Sequence, residues 1–549
     1  MPHVEANETY EKLLSRVRAA FPTPVVDTIS EGRLIQFAVQ ALNRLSHFKN
    51  GHPHLGSLLP LEYSSACTAR FPERMSCSEA VTDSMADYFQ GHVIWGHPHT
   101  QQQVIPPPTI VSILGQMCGA ICNPNLLWDA YSHRVAQAEV ELAGMCAALV
   151  GYDGALAGGT STFGGTGTEL YGVKIGIEKA QPDAFKKGVR TDLKVIASDV
   201  SHYCRSNVVG WLGLGTDCLV TVGSESDNSI NLADLEATLR SIIRKDERIA
   251  CIIVTMGTTD AFGLDNVEGV IRLRERLVEE FALPYRPHVH ADAVIGWPWA
   301  VFNDYDFLAN PLGFGSRTLR SLSEACKVFR GLCLADSIGI DFHKTGYTPI
   351  ASSLFLCKNR ADLSLISRDP ALMPYLFQFG THRPATYTLE TSRSGGPVLA
   401  ALANLKLLGK EGYRVILGHI VTMAEVLRER LESTTHACVV NSSNHGMVTL
   451  FRLYPRGVNA KQAYSEETSG PENTEQLEAH NAYNRRIFEI LRRQLQQGNG
   501  MNLGMTDQYR RLSWDKPIVA LKSFIMSPFA DESAIDFLLA CLDRAQAEA

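Results

Sequence analysis

The sequence predicts an α/β protein built on a mostly parallel sheet, and three observations carry that reading. Short apolar runs without polar alternation, such as Val195-Ile-Ala-Ser, Ala250-Cys-Ile-Ile-Val-Thr and Leu334-Ala-Asp-Ser-Ile-Gly-Ile, read as strands buried on both faces. Helical stretches such as Val267 to Phe281 alternate with them, as crossover connections require. At 549 residues the chain is too long for one core, so two or three domains of ordinary size are expected.

Residues 1–105 mix amphipathic helix with loop. Tyr10, Leu13, Leu14 and Val17 recur at helical spacing, and the turn-rich Gly51-His-Pro-His-Leu-Gly and Trp95-Gly-His-Pro-His-Thr follow. Residues 106–400 form the large domain. Pro106-Pro-Pro-Thr starts a helix with Ile110, Ile113, Leu114 and Met117 on one face, and a second helix, Val398 to Leu408, follows Arg393-Ser-Gly-Gly. Residues 401–549 read as a small α+β domain. Its strands, Met447 to Tyr454 and Ile518 to Met526, flank a helix carrying Leu477, Ile487 and Leu491 and closed by Gly498. Within it Ser465 to Glu475 has no apolar residue and is expected to be an exposed loop.

Composition excludes several classes. Hydrophobic residues are 45% and charged residues 20%, and no apolar run approaches the ~18 residues that span a bilayer, so no membrane segment is expected. Met1 to Glu8 carries early acids and no apolar core, so a secretory leader is not expected and a cytoplasmic location is. Thirteen cysteines lie scattered without CxxC pairs and read as reduced core residues. A net charge of -7 offers no basic stripe for nucleic acid.

The chemistry gathers around Lys344. A short apolar strand ends in Asp341-Phe342-His343-Lys344 and breaks at Gly346 and Pro349, delivering an amine to a sheet edge where ligands sit. Lysine is the side chain that forms a Schiff base with an aldehyde cofactor, although a strand-end lysine is also an ordinary surface charge. Upstream, His288-Val-His-Ala-Asp-Ala ends a strand in Asp292, and Ser201-His202-Tyr203 follows another. Gly164-Gly-Thr-Gly-Thr opens a helix, where small residues let backbone N–H groups approach a phosphate; a plain loop is the alternative. No Gly-Lys-Ser/Thr follows it, which excludes a Walker loop. The two His-Pro-His phrases have no carboxylate or cysteine at ligand spacing and read as turns, so no metal is expected.

Taken in order, these elements resemble the group II decarboxylases that use pyridoxal phosphate (PLP). Phe163-Gly-Gly-Thr-Gly-Thr-Glu-Leu-Tyr-Gly and Leu334-Ala-Asp-Ser are most similar to the bacterial tyrosine decarboxylase branch, and the resemblance spans residues 90 to 410. It implies the type I fold of PLP enzymes, with a seven-stranded-type sheet and a small C-terminal domain, and a homodimer with shared active sites. It implies Lys344 as the Schiff-base residue, Asp292 as partner of the pyridine nitrogen, and His202 stacked on the ring. Gly165, Thr166, Gly167, Ser337 and His343 match phosphate-side positions, and Thr255 lies close to the cofactor. Tyr375 falls where relatives have a mobile loop with a catalytic tyrosine, with a packing aromatic as the equal alternative. Arg393 matches a Ser-Arg phrase and pairs with either a substrate carboxylate or an internal acid. His97 and Thr100 match a phrase at the substrate mouth. The chain departs from the family at Val294, at Ile295-Gly-Trp-Pro-Trp, and at Asp341, which stands where many relatives have an amide. The implied activity is α-decarboxylation of an L-amino acid. A carbon–carbon lyase, an oxidative aldehyde synthase and an inactive PLP-binding regulator are the alternatives.

Overall fold

The computed structural model describes residues 9–22 and 28–549. The Met1 to Glu8 stretch read for its early acids lies outside them.

The large sheet has seven strands: β1 (Gly158–Thr162), β2 (Leu193–Ser198), β3 (Leu219–Val222), β4 (Arg248–Thr255), β5 (His288–Asp292), β6 (Ser337–Asp341) and β7 (Ser353–Cys357). They lie in the order β1-β7-β6-β5-β4-β2-β3. Neighbours from β3 to β6 pair in parallel, and β7 runs antiparallel to both β6 and β1. Ile252, Ala291 and Ile338 are fully buried, which is why these strands carry no polar alternation. Register sets Thr255 opposite Asp292, and Asp292 opposite Gly339, so the carboxyl ends of the central strands form one edge.

Helix α1 (Ile110–Cys122) is capped by Thr109, whose side chain accepts the Ser112 N–H at 3.2 Å. Its Gly119 meets the Gly396 backbone so closely that no Cβ fits. The opposite side of α1 is bare, with Ile110 77% and Leu114 50% exposed. Helix α2 (Gly165–Ala180) lies across the sheet, and Gly172 and Gly176 let it rest on β5 and β4. Helix α3 (Gly396–Glu432) contains the predicted Val398–Leu408 segment, kinks at Gly409 (φ 54°) and continues without a break at residue 400.

A second, five-stranded sheet joins Thr100–Gln101, Asn502–Arg511, Pro517–Phe524, Val448–Leu453 and Ala437–Val439 in that order. The first pairing ties the N-terminal segment to the C-terminal unit. The Ser465 to Glu475 stretch is exposed over most of its length, as expected, but it is a short connection between two helices, and Glu467 departs from the expectation. A helix covers Ala460–Glu467, and Glu467 is fully buried, 2.9 Å from Arg452 and hydrogen-bonded by the Tyr454 hydroxyl at 2.8 Å. A buried ion pair supplies the anchorage that apolar residues do not. Among the described residues no helix is long and apolar enough to cross a membrane.

Candidate active site

Lys344 stands three residues past the end of β6, and its Nζ lies 2.9 Å from Asp341 Oδ2. Asp341 Oδ1 accepts the Ser353 hydroxyl at 2.5 Å, and His343 Nε2 lies 3.7 Å from Oδ2. Burial works to strip the Lys344 amine of its proton, but Asp341 and Asp292 outweigh it and hold that proton above the ordinary lysine value. The lysine is therefore favoured as an ammonium paired with Asp341, with Asp292 adding to the same field.

Asp292, at the end of β5, is buried, and the hydrogen bond it receives is a long one of 3.4 Å from Val294 N–H. Burial raises its carboxyl; Lys344 opposes the rise and Asp341 adds to it. A carboxylate so placed requires a cation in front of it to stay charged. Across the register, Thr255 Oγ1 is buried without a hydrogen-bond partner. His202 Nδ1 accepts the Cys204 N–H at 3.2 Å, which leaves the proton of the neutral ring on Nε2. Burial, with Lys344 nearby, pushes this ring down to about 4, so it is neutral at pH 7.

The start of α2 closes the group from another side. Gly164 has φ 129° with open space around it, and a Cβ on Gly165 would approach Asp341 Oδ2 and Val294 Cγ1 to 3.0 Å. A Cβ on Gly167 would sit 2.5 Å from Thr162 Oγ1. Gly167 N–H already donates to Gly164 O at 2.9 Å, so the N–H groups of Gly165 and Thr166 are the ones this helix start can turn toward an anion. His202, Tyr203 and Lys344 face a cavity of about 720 Å³. Its far wall comes from elsewhere in the chain: Asp260, Tyr509, Arg510 and Lys522. Lys522 Nζ and Asp260 Oδ1 are paired at 2.8 Å.

No family model matches the chain. It is 24% identical over 379 residues to the L-2,4-diaminobutyrate decarboxylase of Acinetobacter baumannii, covering 66% of this chain and 68% of that protein. It is 26% identical over 273 residues to the L-tyrosine decarboxylase of Enterococcus faecium, covering 46% and 43%. Its homologues are group II PLP-dependent decarboxylases. The structure superimposes on the glutamate decarboxylase domain of a Vibrio parahaemolyticus protein with a TM-score of 0.74 at 15% identity, covering 98% of this chain and 100% of that one. The Oryza sativa TDC solved with PLP and tryptamine gives 0.75 at 15% identity, covering 95% and 99%. The fold is therefore the type I fold of PLP enzymes. The stretch aligned with these decarboxylases spans about two thirds of the first curated relative and less than half of the second.

The residues present fit PLP. An amine faces the cavity, an under-satisfied buried carboxylate stands ready for a ring cation, and a glycine-lined helix start can take a phosphate. Of the expected residues, Lys344 and His202 line this cavity; Asp292 stands opposite Thr255 in register, and Asp341, the partner of Lys344, has His343 and Gly165 beside it at the same strand end. Asp341 also lies there, its charge met by Lys344 and the Ser353 hydroxyl.

Other expectations are corrected. Ser337 begins β6, four residues and roughly 13 Å of strand from Asp341. Its hydroxyl lies 2.8 Å from both His288 Nε2 and His290 Nδ1, so it does not reach the phosphate side. Arg393 is buried against Glu139, with further bonds to Ser161 Oγ at 2.8 Å and Leu126 O at 2.9 Å, which leaves its guanidinium no reach for substrate. His97 Nε2 lies 3.2 Å from Gly51 O, and Thr100 Oγ1 donates to Ile94 O at 3.0 Å. These two hold the turn, while Gln103, Val104 and Ile105 beyond them line the cavity. Tyr375 is not among these corrections: it is 73% exposed, in a turn away from this chain's own cavity lining.

Sequence reasoning missed Glu169 and the far wall. Glu169 is buried beside Asp292; burial and that neighbour push it up to about 8, and it accepts the Cys204 thiol at 3.0 Å. A lone lysine inside the apolar run Ile518-Val-Ala-Leu-Lys-Ser-Phe was the one signal for Lys522.

Proposed function

We propose that this chain is a PLP-dependent α-decarboxylase of an L-amino acid, releasing CO2 and the primary amine. The observation that carries the reading is Lys344 Nζ held 2.9 Å from Asp341, with Asp292 as its second counter-charge and neutral His202 on the same cavity. PLP, when bound, supplies an electron sink for the pair left by the departing carboxylate. The chain's own residues do the rest. Asp292 provides the negative charge that keeps a ring nitrogen protonated, and the α2 start holds the phosphate end. Neutral His202 offers its Nε2–H over the cavity without repelling a cationic ring. The Lys344 side chain, on the same cavity, would hold the cofactor and could carry a proton there.

The bare apolar side of α1 supports a homodimer, because Ile110 and Leu114 are too exposed for a surface left in water. Tyr375 belongs in this reading to a loop that serves the neighbouring subunit's cavity. Thirteen cysteines, all free thiols, favour a reducing compartment and hence the cytoplasm. The test is a panel of the twenty amino acids given to the PLP-loaded protein, with CO2 and amine measured together. One substrate yielding both in equal amounts supports the proposal, and an aldehyde without CO2 rejects it.

A further inference from the structure

Behind the site, a line of polar groups crosses an otherwise apolar layer between α2 and the sheet. Lys179 Nζ, paired with Asp362 at 2.7 Å, lies 3.3 Å from His288 Nδ1. His288 Nε2 lies 2.8 Å from Ser337 Oγ, and Ser337 Oγ lies 2.8 Å from His290 Nδ1. His288, Ser337 and His290 are all fully buried.

Counting protons fixes the direction of this line. A lysine ammonium only donates, so His288 Nδ1 accepts and the neutral ring carries its proton on Nε2. The other acid near His288 does not compete, because Asp336 Oδ2 is 3.9 Å away and already takes Arg274 and the Val289 N–H. His288 therefore donates to Ser337 Oγ. A hydroxyl has one proton, and Ser337 gives it to His290 Nδ1. The proton of the His290 ring then sits on Nε2, which is buried and has no hydrogen-bond partner.

A Cβ on Gly339, the register partner of Asp292, would lie 3.4 Å from His290 Nε2. His290 and Asp292 are two residues apart and share one face of β5. We propose that Lys179, His288 and Ser337 form a positioning chain that fixes His290 as an Nε2–H donor toward Asp292 and so favours the ionised carboxylate. A buried N–H dipole beside a carboxylate lowers the cost of its charge, and the missing side chain of Gly339 leaves the room that the Thr168 hydroxyl takes up near His290 Nε2. The inference rests on the decarboxylase reading only for what Asp292 does, and not for the tautomer.

The test begins on the cofactor-free protein labelled with 15N in its imidazoles. Solid-state spectra, with the His288 and His290 signals assigned by His288→Gln and His290→Asn, should show His290 protonated at Nε2 and bare at Nδ1. A proton on His290 Nδ1 overturns the proposal. In the PLP-loaded protein, His288→Leu cuts the line far from the cavity. It should lower kcat about tenfold or more with KM little changed, and shift the pH at which the visible band of the bound cofactor changes, as losing a hydrogen bond near a charge implies. His288→Gln, which can accept from Lys179 and donate to Ser337, should restore both. Wild-type kcat and spectrum in His288→Leu overturn the proposal. If His288→Leu fails to fold, the wild-type tautomer decides. A protein with the Nε2–H tautomer that binds no PLP leaves the chain standing and refutes the decarboxylase reading instead.

Discussion

Replacing Arg393 with Ala tests how the carboxyl side of the fold is held and whether this arginine touches substrate. Arg393 and Glu139 are 5% and 1% exposed, so the pair sits in the regime where removing one partner strands a buried charge. Such a loss costs about 3–5 kcal/mol, far above the 0–1 kcal/mol of a surface pair. Thermal unfolding of the PLP-loaded protein should show Tm falling by at least several degrees, with KM for the substrate little changed. Arg393→Met together with Glu139→Leu should recover most of the loss, since neither charge is then left alone. The pH dependence has a defined sign. Burial raises the Glu139 carboxyl, but Arg393, His382 and Ser161 outweigh it and hold it well below the ordinary range. Its contribution is fully present above the unfolded value of about 4.3 and is lost as pH falls through the lower folded value. In Arg393→Ala the isolated carboxyl takes up a proton more readily, so the Tm gap between variant and wild type should narrow as the pH is lowered toward 5. A wild-type Tm with a tenfold rise in KM would refute the internal ion-pair assignment and return Arg393 to the substrate.

Borohydride treatment of the PLP-loaded protein should leave a phosphopyridoxyl mass on the peptide containing Lys344. In Lys344→Ala that mass should vanish; labelling of another lysine would displace Lys344 from the proposal. Asp292→Ala should fold with turnover at least about a hundredfold down, on the scale of losing one preorganised electrostatic group, and near-normal turnover would show that the ring charge is balanced elsewhere. Tyr375→Phe should leave Tm unchanged, as its exposure implies, while slowing amine release and raising aldehyde by-product. An unchanged product ratio would make Tyr375 a surface aromatic.

Much of the site was legible because its parts are local. Lys344, Asp292 and Thr255 each mark the carboxyl end of an apolar run, and parallel strands put such ends on one edge without further information. Gly165 and His202 were legible by the same logic, one opening a helix and one following a strand. Ser337 was misplaced because adjacency in sequence was taken for adjacency in space, whereas a five-residue strand carries its first residue to the opposite edge. Arg393 was ambiguous because its partner, Glu139, lies 254 residues away and nothing local announces it. The far wall of Asp260, Tyr509, Arg510 and Lys522 was invisible for a related reason, since docking one sheet against another is a tertiary event. Within the otherwise exposed Ser465 to Glu475 stretch, Glu467 misled through composition, because its charge read as exposure where Arg452 neutralises it inside.

The cavity draws its reactive groups from the seven-stranded sheet and much of its opposite wall from strands of the five-stranded one. Substitutions at Tyr509, Arg510 or Lys522 can therefore change which side chain is admitted while leaving the bond-breaking apparatus untouched.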